Sequence, residues 1–192
     1  VNLLYATTND AFILKLDGAG NFGWVKQYGA GNGQIGLSIT TDDSDNIYST
    51  GYFYSSVDFD AGPGVFNMSP VGQFDIYFIK LDPSGNFVWA KQIGGTSYEQ
   101  AWSIHTDNKS VYLTGNFQGT PDFDPGAGSA TLTMLGIQDA FVAKYDTAGN
   151  YIWAKAFHGY DIEVGKWVTT DKFGNVYSTG DFRAQVDFDP GP

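Results

Sequence analysis

Three short acidic segments contain the residues of this sequence best suited to chemistry. Each segment has two aspartates separated by a phenylalanine, and a glycine follows: DFDAG, DFDPG and DFDPG. Calcium takes about six to eight oxygen ligands, and two carboxylates held in a tight turn can point at one ion. The segments therefore predict one structural Ca²⁺ in each loop, with the ligands Asp58, Asp60, Asp122, Asp124, Asp187 and Asp189.

The same aspartates have a second interpretation that involves no metal. An aspartate side chain can accept backbone N–H groups two residues further on, and so it starts a turn before glycine and proline. The segments are also shorter than an EF-hand loop, because they lack a third aspartate and a distal glutamate. Calcium binding and turn capping both stay open. In either case we expect the intervening aromatic side chains to anchor the loops in the core: Phe59, Phe123 and Phe188.

The acidic segments recur because the whole chain is built from repeats. The stretch DIYFIKLDPSGNFVW (residues 75–89) is matched by residues 10–24 and 139–153, at offsets of 65 and 64 residues. Alternating, aromatic and β-branched residues predict a strand in each copy. The Asp-x-x-Gly-Asn sequence that follows predicts a hairpin turn with a bulge, where glycine takes a positive φ.

A second pair of strands follows each hairpin and carries its own repeated features. The strand sequences IYSTGYF, VYLTGNF and VYSTGDF contain a recurring glycine, which predicts a bulge or a close backbone contact at Gly51, Gly115 and Gly180. A tryptophan recurs in the second strand of each hairpin, and we expect it to form a wedge between neighbouring units. These residues are Trp24, Trp89 and Trp153.

Four antiparallel strands per unit of about 64 residues predict an all-β fold made of β-propeller blades. Each unit has a loop of about 20 residues between its second and third strands, which lengthens a simple blade. We interpret residues 1–192 as one propeller segment, with partial blades at 1–28 and 167–192 and blades at 37–93 and 102–157. Propellers usually have about four to eight blades. Three repeats therefore predict either part of a longer array or a chain that is completed by another copy.

Composition and charge exclude several classes of function. The chain has 21 acidic and 10 basic residues and a net charge of −11, which argues against binding nucleic acid or an anionic membrane surface. It has no cysteine, so disulfides and thiol chemistry are excluded. No apolar run is long enough to insert into a membrane as a helix.

The full repeat resembles a known family. The pattern D-x-[FY]-[IV]-x-K-x-D-x-x-G-N-x-x-W-x-K-Q, followed by x-[VI]-Y-x-T-G-x-F and D-F-D-P-G, is similar to the SBBP-type β-propeller repeat of bacterial secreted and surface proteins. The resemblance covers essentially the whole chain. It implies an extracellular or cell-surface location, often reached by type IX secretion, and it implies no defined activity.

We expect a non-catalytic module that serves as a scaffold or as an adhesion or binding surface. A protein or carbohydrate ligand would bind at the loops where the repeats differ, at residues 29–36, 94–100 and 159–165. The alternative is a carbohydrate-active or other hydrolytic propeller with its active site in those loops or in further blades. Acids that we place outside the repeat, among them Glu99 and Glu163, show no spacing that selects a catalytic pair.

Overall fold

The computed structural model describes residue 3, residues 9–29 and residues 33–191. Within these ranges it contains strands, turns and loops and no helix. The strands are β1 (Phe12–Leu16), β2 (Phe22–Gln27), β3 (Gln34–Thr41), β4 (Ile47–Phe53), β5 (Val57–Asp58), β6 (Asn67–Met68), β7 (Asp75–Leu81), β8 (Phe87–Ile93), β9 (Glu99–Thr106), β10 (Ser110–Phe117), β11 (Asp139–Asp146), β12 (Tyr151–Gly159), β13 (Glu163–Thr170), β14 (Val176–Phe182) and β15 (Val186–Asp187).

Two antiparallel four-stranded meanders form the centre of the molecule. The first blade has the order β3-β4-β7-β8, and the second blade has the order β9-β10-β11-β12, with β15 added beside β12. Two-stranded sheets flank them: the β1–β2 hairpin, which we call the first half-blade, and the β13–β14 hairpin, the last half-blade. The predicted all-β fold of antiparallel four-stranded units is confirmed.

Successive blades pack against one another through their first strands. Strand β9 packs against β3 and β4, and β13 packs against β9 and β10. The loop of about 20 residues predicted in each unit lies at residues 54–74 and 118–138, between the second and third strands. The first strands begin at Gln34 and Glu99, a few residues before the boundaries expected at 37 and 102.

The predicted hairpin turns are present and explain where each strand pair reverses. Asp82 Oδ1 accepts the backbone N–H groups of Ser84 (2.8 Å) and Asn86 (2.9 Å), and Gly85 has a φ of 79°. The pairing register shifts between Lys80 and Leu81, which is the expected bulge. The equivalent hydrogen bonds recur at Asp17 and Asp146.

The recurring strand glycines make the close backbone contact that the sequence predicted. A Cβ built on Gly51 would lie 1.8 Å from the carbonyl oxygen of Ile35, and one on Gly115 would lie 1.8 Å from that of Gln100. The register shifts beside these contacts, between Thr114 and Gly115 in the second blade. Any side chain at these positions would push the first two strands of the blade apart.

The apolar core lies mainly between successive sheets, where the tryptophans are found. Trp89 of the first blade packs against a cluster of buried side chains that come from both blades. Its ring centroid lies 5.4 Å from that of Phe78. Trp24 contacts the cluster of the first blade in the same way. The interpretation of these tryptophans as wedges between units agrees with this packing.

Candidate functional site

The acidic loops are built by hydrogen bonds between aspartate side chains and the backbone. Asp58 Oδ1 accepts the N–H groups of Asp60 (3.0 Å) and Phe66 (2.8 Å). Asp60 Oδ1 accepts the N–H of Gly62 at 2.8 Å. One carboxylate therefore ties the two arms of the loop together, while the next one caps the turn at its tip.

The second loop repeats this arrangement, and the final loop repeats its first part. Asp122 Oδ1 accepts the N–H groups of Asp124 (3.0 Å) and Ala130 (2.8 Å). Burial opposes the ionisation of Asp122, but these N–H donors outweigh burial and lower its pKa. The final loop has matching hydrogen bonds from Asp189 to Asp187 (2.9 Å) and from Gly191 to Asp189 (3.0 Å).

In the first two loops, the second oxygen of the tip aspartate lies over a glycine. A Cβ on Gly64 would be 2.1 Å from Asp60 Oδ2, and one on Gly128 would be 2.2 Å from Asp124 Oδ2. Across the described ranges, no three His, Asp or Glu side chains are grouped so that they could hold a metal ion. Turn capping explains the geometry of these loops, and calcium binding by them stays a prediction.

The aromatic anchors of the loops do not all behave as expected. Phe59 and Phe123 are completely buried, as predicted. Phe188 is 57% exposed among the described residues, so the prediction that it lies in the core is wrong. The reason is the number of neighbouring strands: Phe59 and Phe123 lie under complete four-stranded blades, whereas Phe188 lies beside the two-stranded last half-blade.

A buried pair of carboxyl groups lies at the junction between the two blades. Asp75 and Glu99 are both 0% exposed. Asp75 accepts hydrogen bonds from the backbone N–H groups of Val71 (2.9 Å) and Gly72 (3.2 Å) and from Gln92 Nε2 (2.6 Å). Glu99 Oε2 accepts only the N–H of Gly95 (3.0 Å), and Oε1 has no partner.

This environment favours the protonated form of Glu99. Burial is the main cause, the charge of Asp75 adds to it, and together they raise the pKa of Glu99 to about 8. A neutral carboxylic acid costs far less to bury than a carboxylate. Glu99 therefore holds its proton at neutral pH and behaves as an uncharged hydrogen-bonding group.

The same junction recurs on either side with different residues. On one side, Gln34 occupies the position equivalent to Glu99. Its Nε2 donates to Tyr28 O, Gly29 O (3.2 Å) and Asp10 Oδ1 (3.4 Å). On the other side the equivalent residue is Glu163, which starts β13 as Glu99 starts β9. Burial, followed by the charges of Asp139 and Asp161, raises the pKa of Glu163.

The sequence-based interpretation of Glu99 and Glu163 as acids outside the repeat is therefore wrong. Positions 34, 99 and 163 are separated by 65 and 64 residues, the same offsets as the hairpins. That spacing was the available signal, and the change from glutamine to glutamate concealed it. The hydrogen bond that Gln92 makes to Asp75 is replaced by one between His158 Nδ1 and Asp139 Oδ2 (2.5 Å), because Ala156 occupies the position of Gln92 and its side chain cannot donate.

Glu99 and Glu163 have raised pKa values of the kind found in catalytic groups, but their placement is structural. Displaced pKa values identify functional sites only as a probability, since buried networks also produce them. Asp75 and Glu99 are sealed between two blades and cannot meet a substrate. Asp75 fixes the end of the long loop against β8 of its own blade, and Glu99 fixes residue 95 of the connection to the start of β9.

The loops in which we expected ligand recognition mainly connect the blades. Ser97 O accepts the N–H groups of Gln73 (3.0 Å) and Phe74 (3.2 Å), and the N–H of Glu99 donates to Phe74 O (2.9 Å). Residues 159–165 make the same connections in the next junction. Residues 30–32 of the first predicted loop lie outside the described ranges.

An apolar surface is exposed at this end of the blades. We call it the loop-end surface, and it consists of Val71, Leu135, Ile137 and Tyr160. Val71 and Leu135 occupy equivalent positions in the two long loops, and they are 69% and 57% exposed. Tyr160 is 73% exposed, at the tip of the neighbouring connection. Large exposed apolar patches mark interaction sites, whereas single exposed apolar residues are ordinary.

The sheets define the class of fold as β-propeller blades, and one comparison with known proteins agrees. The chain is 29% identical over 187 residues to a protein of Acanthamoeba polyphaga mimivirus that is described as an uncharacterized WD repeat-containing protein. The match covers 85% of this chain and 14% of that protein. WD repeats form four-stranded propeller blades. No family model matches the chain.

These comparisons overturn the resemblance to the SBBP-type family. The family assignment is wrong, because no model of that family matches and the relative is described by WD repeats. The bacterial origin and the type IX secretion route that it implied have no support. The physical reason is that the repeated residues specify turns, bulges and inter-blade packing, which are needed in any four-stranded blade.

Proposed function

We propose that this chain is a segment of a β-propeller that acts as a non-catalytic scaffold and binds a protein partner at the loop-end surface. The observation that supports the site is the repeated exposure of Val71 and Leu135 in successive blades, with Ile137 and Tyr160 beside them. Propellers of the WD repeat class typically bind proteins, and the relative is described as one of that class.

The burial of the junction acids supports a non-catalytic role. A glycosidase needs two carboxyl groups on either side of a substrate, separated by about 5 to 10 Å and open to it. The acids with raised pKa values, Glu99 and Glu163, are 0% and 1% exposed. The aspartates of the loops and hairpins are occupied in turns. Neither acid with a raised pKa is therefore open to a substrate.

The charge of the chain indicates the kind of partner surface. With a net charge of −11, the chain attracts a partner whose surface is basic around an apolar centre. Such an interface would bind more weakly as the ionic strength rises, because exposed charges are screened. A carbohydrate ligand would show little of this salt dependence.

The expectation of an extracellular or cell-surface location came from the family resemblance and stays a prediction. Calcium stabilisation of the acidic loops also stays a prediction. Neither is needed for the proposed scaffold role. Both are independent of the loop-end surface and can be measured separately.

Cross-linking from single cysteines tests the proposed role, because the chain has no cysteine of its own. A photo-cross-linker is attached to Leu135→Cys and, as a control, to Val88→Cys, which is exposed on the outer strand of the first blade. We expect one protein from an extract of the source cells to be captured from position 135 and not from position 88.

The captured protein is then purified and titrated against the wild type and against Leu135→Ser. Loss of an apolar contact at the centre of an interface should weaken binding about tenfold or more. Equal affinities for the two chains would remove the loop-end surface from the proposal. Hydrolysis of a glycan panel by the purified chain would favour the enzymatic alternative.

A further inference from the structure

The last half-blade exposes side chains that the complete blades bury. Phe182 on β14 is 57% exposed, whereas its equivalents Phe53 and Phe117 are 0% exposed. Tyr177 is 55% exposed, and its equivalent Tyr48 is 0% exposed. Strands β4 and β10 each pair with a third strand, but among the described residues β14 pairs only with β13.

A groove lies beside this free strand. Its volume is about 500 Å³, and its lining includes Val142, Trp153, Phe157, Phe182 and Phe188. In the complete blades, the third and fourth strands occupy the equivalent place. The groove is lined by apolar side chains and has room for the side chains along one face of an added strand.

The first half-blade presents a matching apolar face. Phe12, Leu14 and Leu16 on β1 are 63%, 45% and 50% exposed. Their equivalents on β7 are buried almost completely, at 1%, 0% and 1% exposure for Tyr77, Ile79 and Leu81. The two-stranded sheet β1–β2 corresponds to the third and fourth strands of a blade.

We propose that the β1–β2 hairpin of a second copy of this chain binds beside β14 and completes the last half-blade. The internal blades fix the register of this pairing. Ser49 of β4 lies opposite Ile79, and Leu113 of β10 lies opposite Ala143. At the equivalent positions, Ser178 of one copy lies opposite Leu14 of the other.

The tryptophan wedges support the same arrangement. A Cβ built on Gly85 would lie 3.0 Å from Trp24, and one on Gly149 would lie 3.3 Å from Trp89, so each tryptophan covers the hairpin turn of the next blade. The turn at Gly20 has open space around it. In the proposed complex, Trp153 of the partner copy covers Gly20.

Ring size favours a second copy over closure of one chain on itself. A single chain that paired its own β1 with its own β14 would form a ring of three blades. Two copies that exchange their first half-blades would form a ring of six, with two shared blades and two complete ones from each copy. Known propellers have about four to eight blades.

The mass of the purified 192-residue chain in solution is the first test. We expect light scattering after size exclusion to give twice the chain mass of 20.9 kDa at micromolar concentration. Leu14→Asp and Phe182→Asp each alter an exposed side chain and should each give monomers with unchanged far-ultraviolet circular dichroism. Val88→Asp, on the outer strand, should leave the dimer intact. Mixing the two monomeric variants should restore a dimer, since one undamaged junction remains.

Engineered cysteines test the register. Under mild oxidation, Leu14→Cys mixed with Ser178→Cys should give a disulfide-linked dimer, and Lys15→Cys mixed with Ser178→Cys should give none. A doubly substituted chain, with Leu14→Cys and Ser178→Cys together, that cross-links only within itself would overturn the proposal in favour of intramolecular closure. A wild-type chain that stays monomeric over the whole concentration range would also overturn it, and the hairpin of a further blade in a longer chain would then be the occupant of the groove.

Discussion

The substitution Glu99→Gln should change how the stability of this protein depends on pH. It replaces a buried carboxyl group with a neutral amide of nearly the same shape. The preceding junction already has a glutamine at the equivalent position. This residue, Gln34, donates to Gly29 O at 3.2 Å. An amide at position 99 therefore has a ready arrangement of acceptors.

The size of the effect follows from the pKa of Glu99. Burial, with a contribution from Asp75, raises this pKa from 4.5 to about 8 in the folded chain. Between these two values the folded chain keeps the proton and the unfolded chain releases it. The free energy of unfolding is therefore highest below pH 4.5, falls as the pH rises, and has lost the full contribution above pH 8. At about 1.4 kcal/mol per pH unit, the loss between pH 5 and pH 9 is about 4 kcal/mol.

Urea denaturation at pH 5, 7 and 9, followed by tryptophan fluorescence, measures this difference directly. We expect Glu99→Gln to differ from the wild type by about 1 kcal/mol at pH 5 and to be more stable by about 4 to 5 kcal/mol at pH 9. The control is Asp43→Asn, which also replaces a carboxyl group with an amide but does so at an exposed position. Its curve should run parallel to that of the wild type.

Two results would refute the reasoning. Parallel curves for Glu99→Gln and the wild type would show that Glu99 does not hold a proton in the folded chain. A variant less stable than the wild type at pH 9 would show that the junction needs a carboxylate at position 99. Either result would remove the argument that Glu99 acts as a neutral group, as Gln34 does at the equivalent position.

Three further changes test other parts of the structure. Phe123→Ala should lower the free energy of unfolding by about 3 to 5 kcal/mol, and Phe188→Ala at the exposed equivalent by less than about 1 kcal/mol, as measured by urea denaturation. Gly115→Ala should prevent normal folding, because its Cβ would lie 1.8 Å from a carbonyl oxygen, whereas Gly18→Ala enters open space and should leave the melting temperature within a few degrees. Melting in EGTA and in millimolar Ca²⁺ should give equal midpoints if the acidic loops only cap turns; a site at a hundredfold excess over its Kd would instead add about 2.7 kcal/mol.

The features that the sequence predicted well are those encoded within a few residues. The turn at Asp82 depends on Asn86 and Gly85, all inside one short stretch, and its bulge appears where the pattern placed it. The all-β fold and the four-stranded units follow from the repetition of such stretches. Local turn chemistry and strand periodicity are therefore enough to give the architecture.

The features that the sequence missed depend on contacts between distant segments. Asp75 and Glu99 meet only when two blades pack, and nothing near either residue shows that they will share a site. Phe188 carries the same local motif as Phe59 and yet is exposed, because its burial depends on strands supplied from elsewhere. A repeated motif thus predicts a local conformation, and its environment depends on the number of neighbouring blades.

The wrong family assignment has the same cause, and it shows where the distinguishing information lies. Turn aspartates, strand glycines and wedge tryptophans are required by the blade itself, so they recur in propellers of unrelated origin. The junction position is freer: it is Gln34, Glu99 or Glu163 within a single chain, and the accompanying donor is an amide at one junction and His158 at another. A glutamate at this position has a raised pKa and a glutamine does not titrate, while the blades remain alike. Differences between copies at the junctions and at the loop-end surface are therefore the place to look for what is particular to this protein.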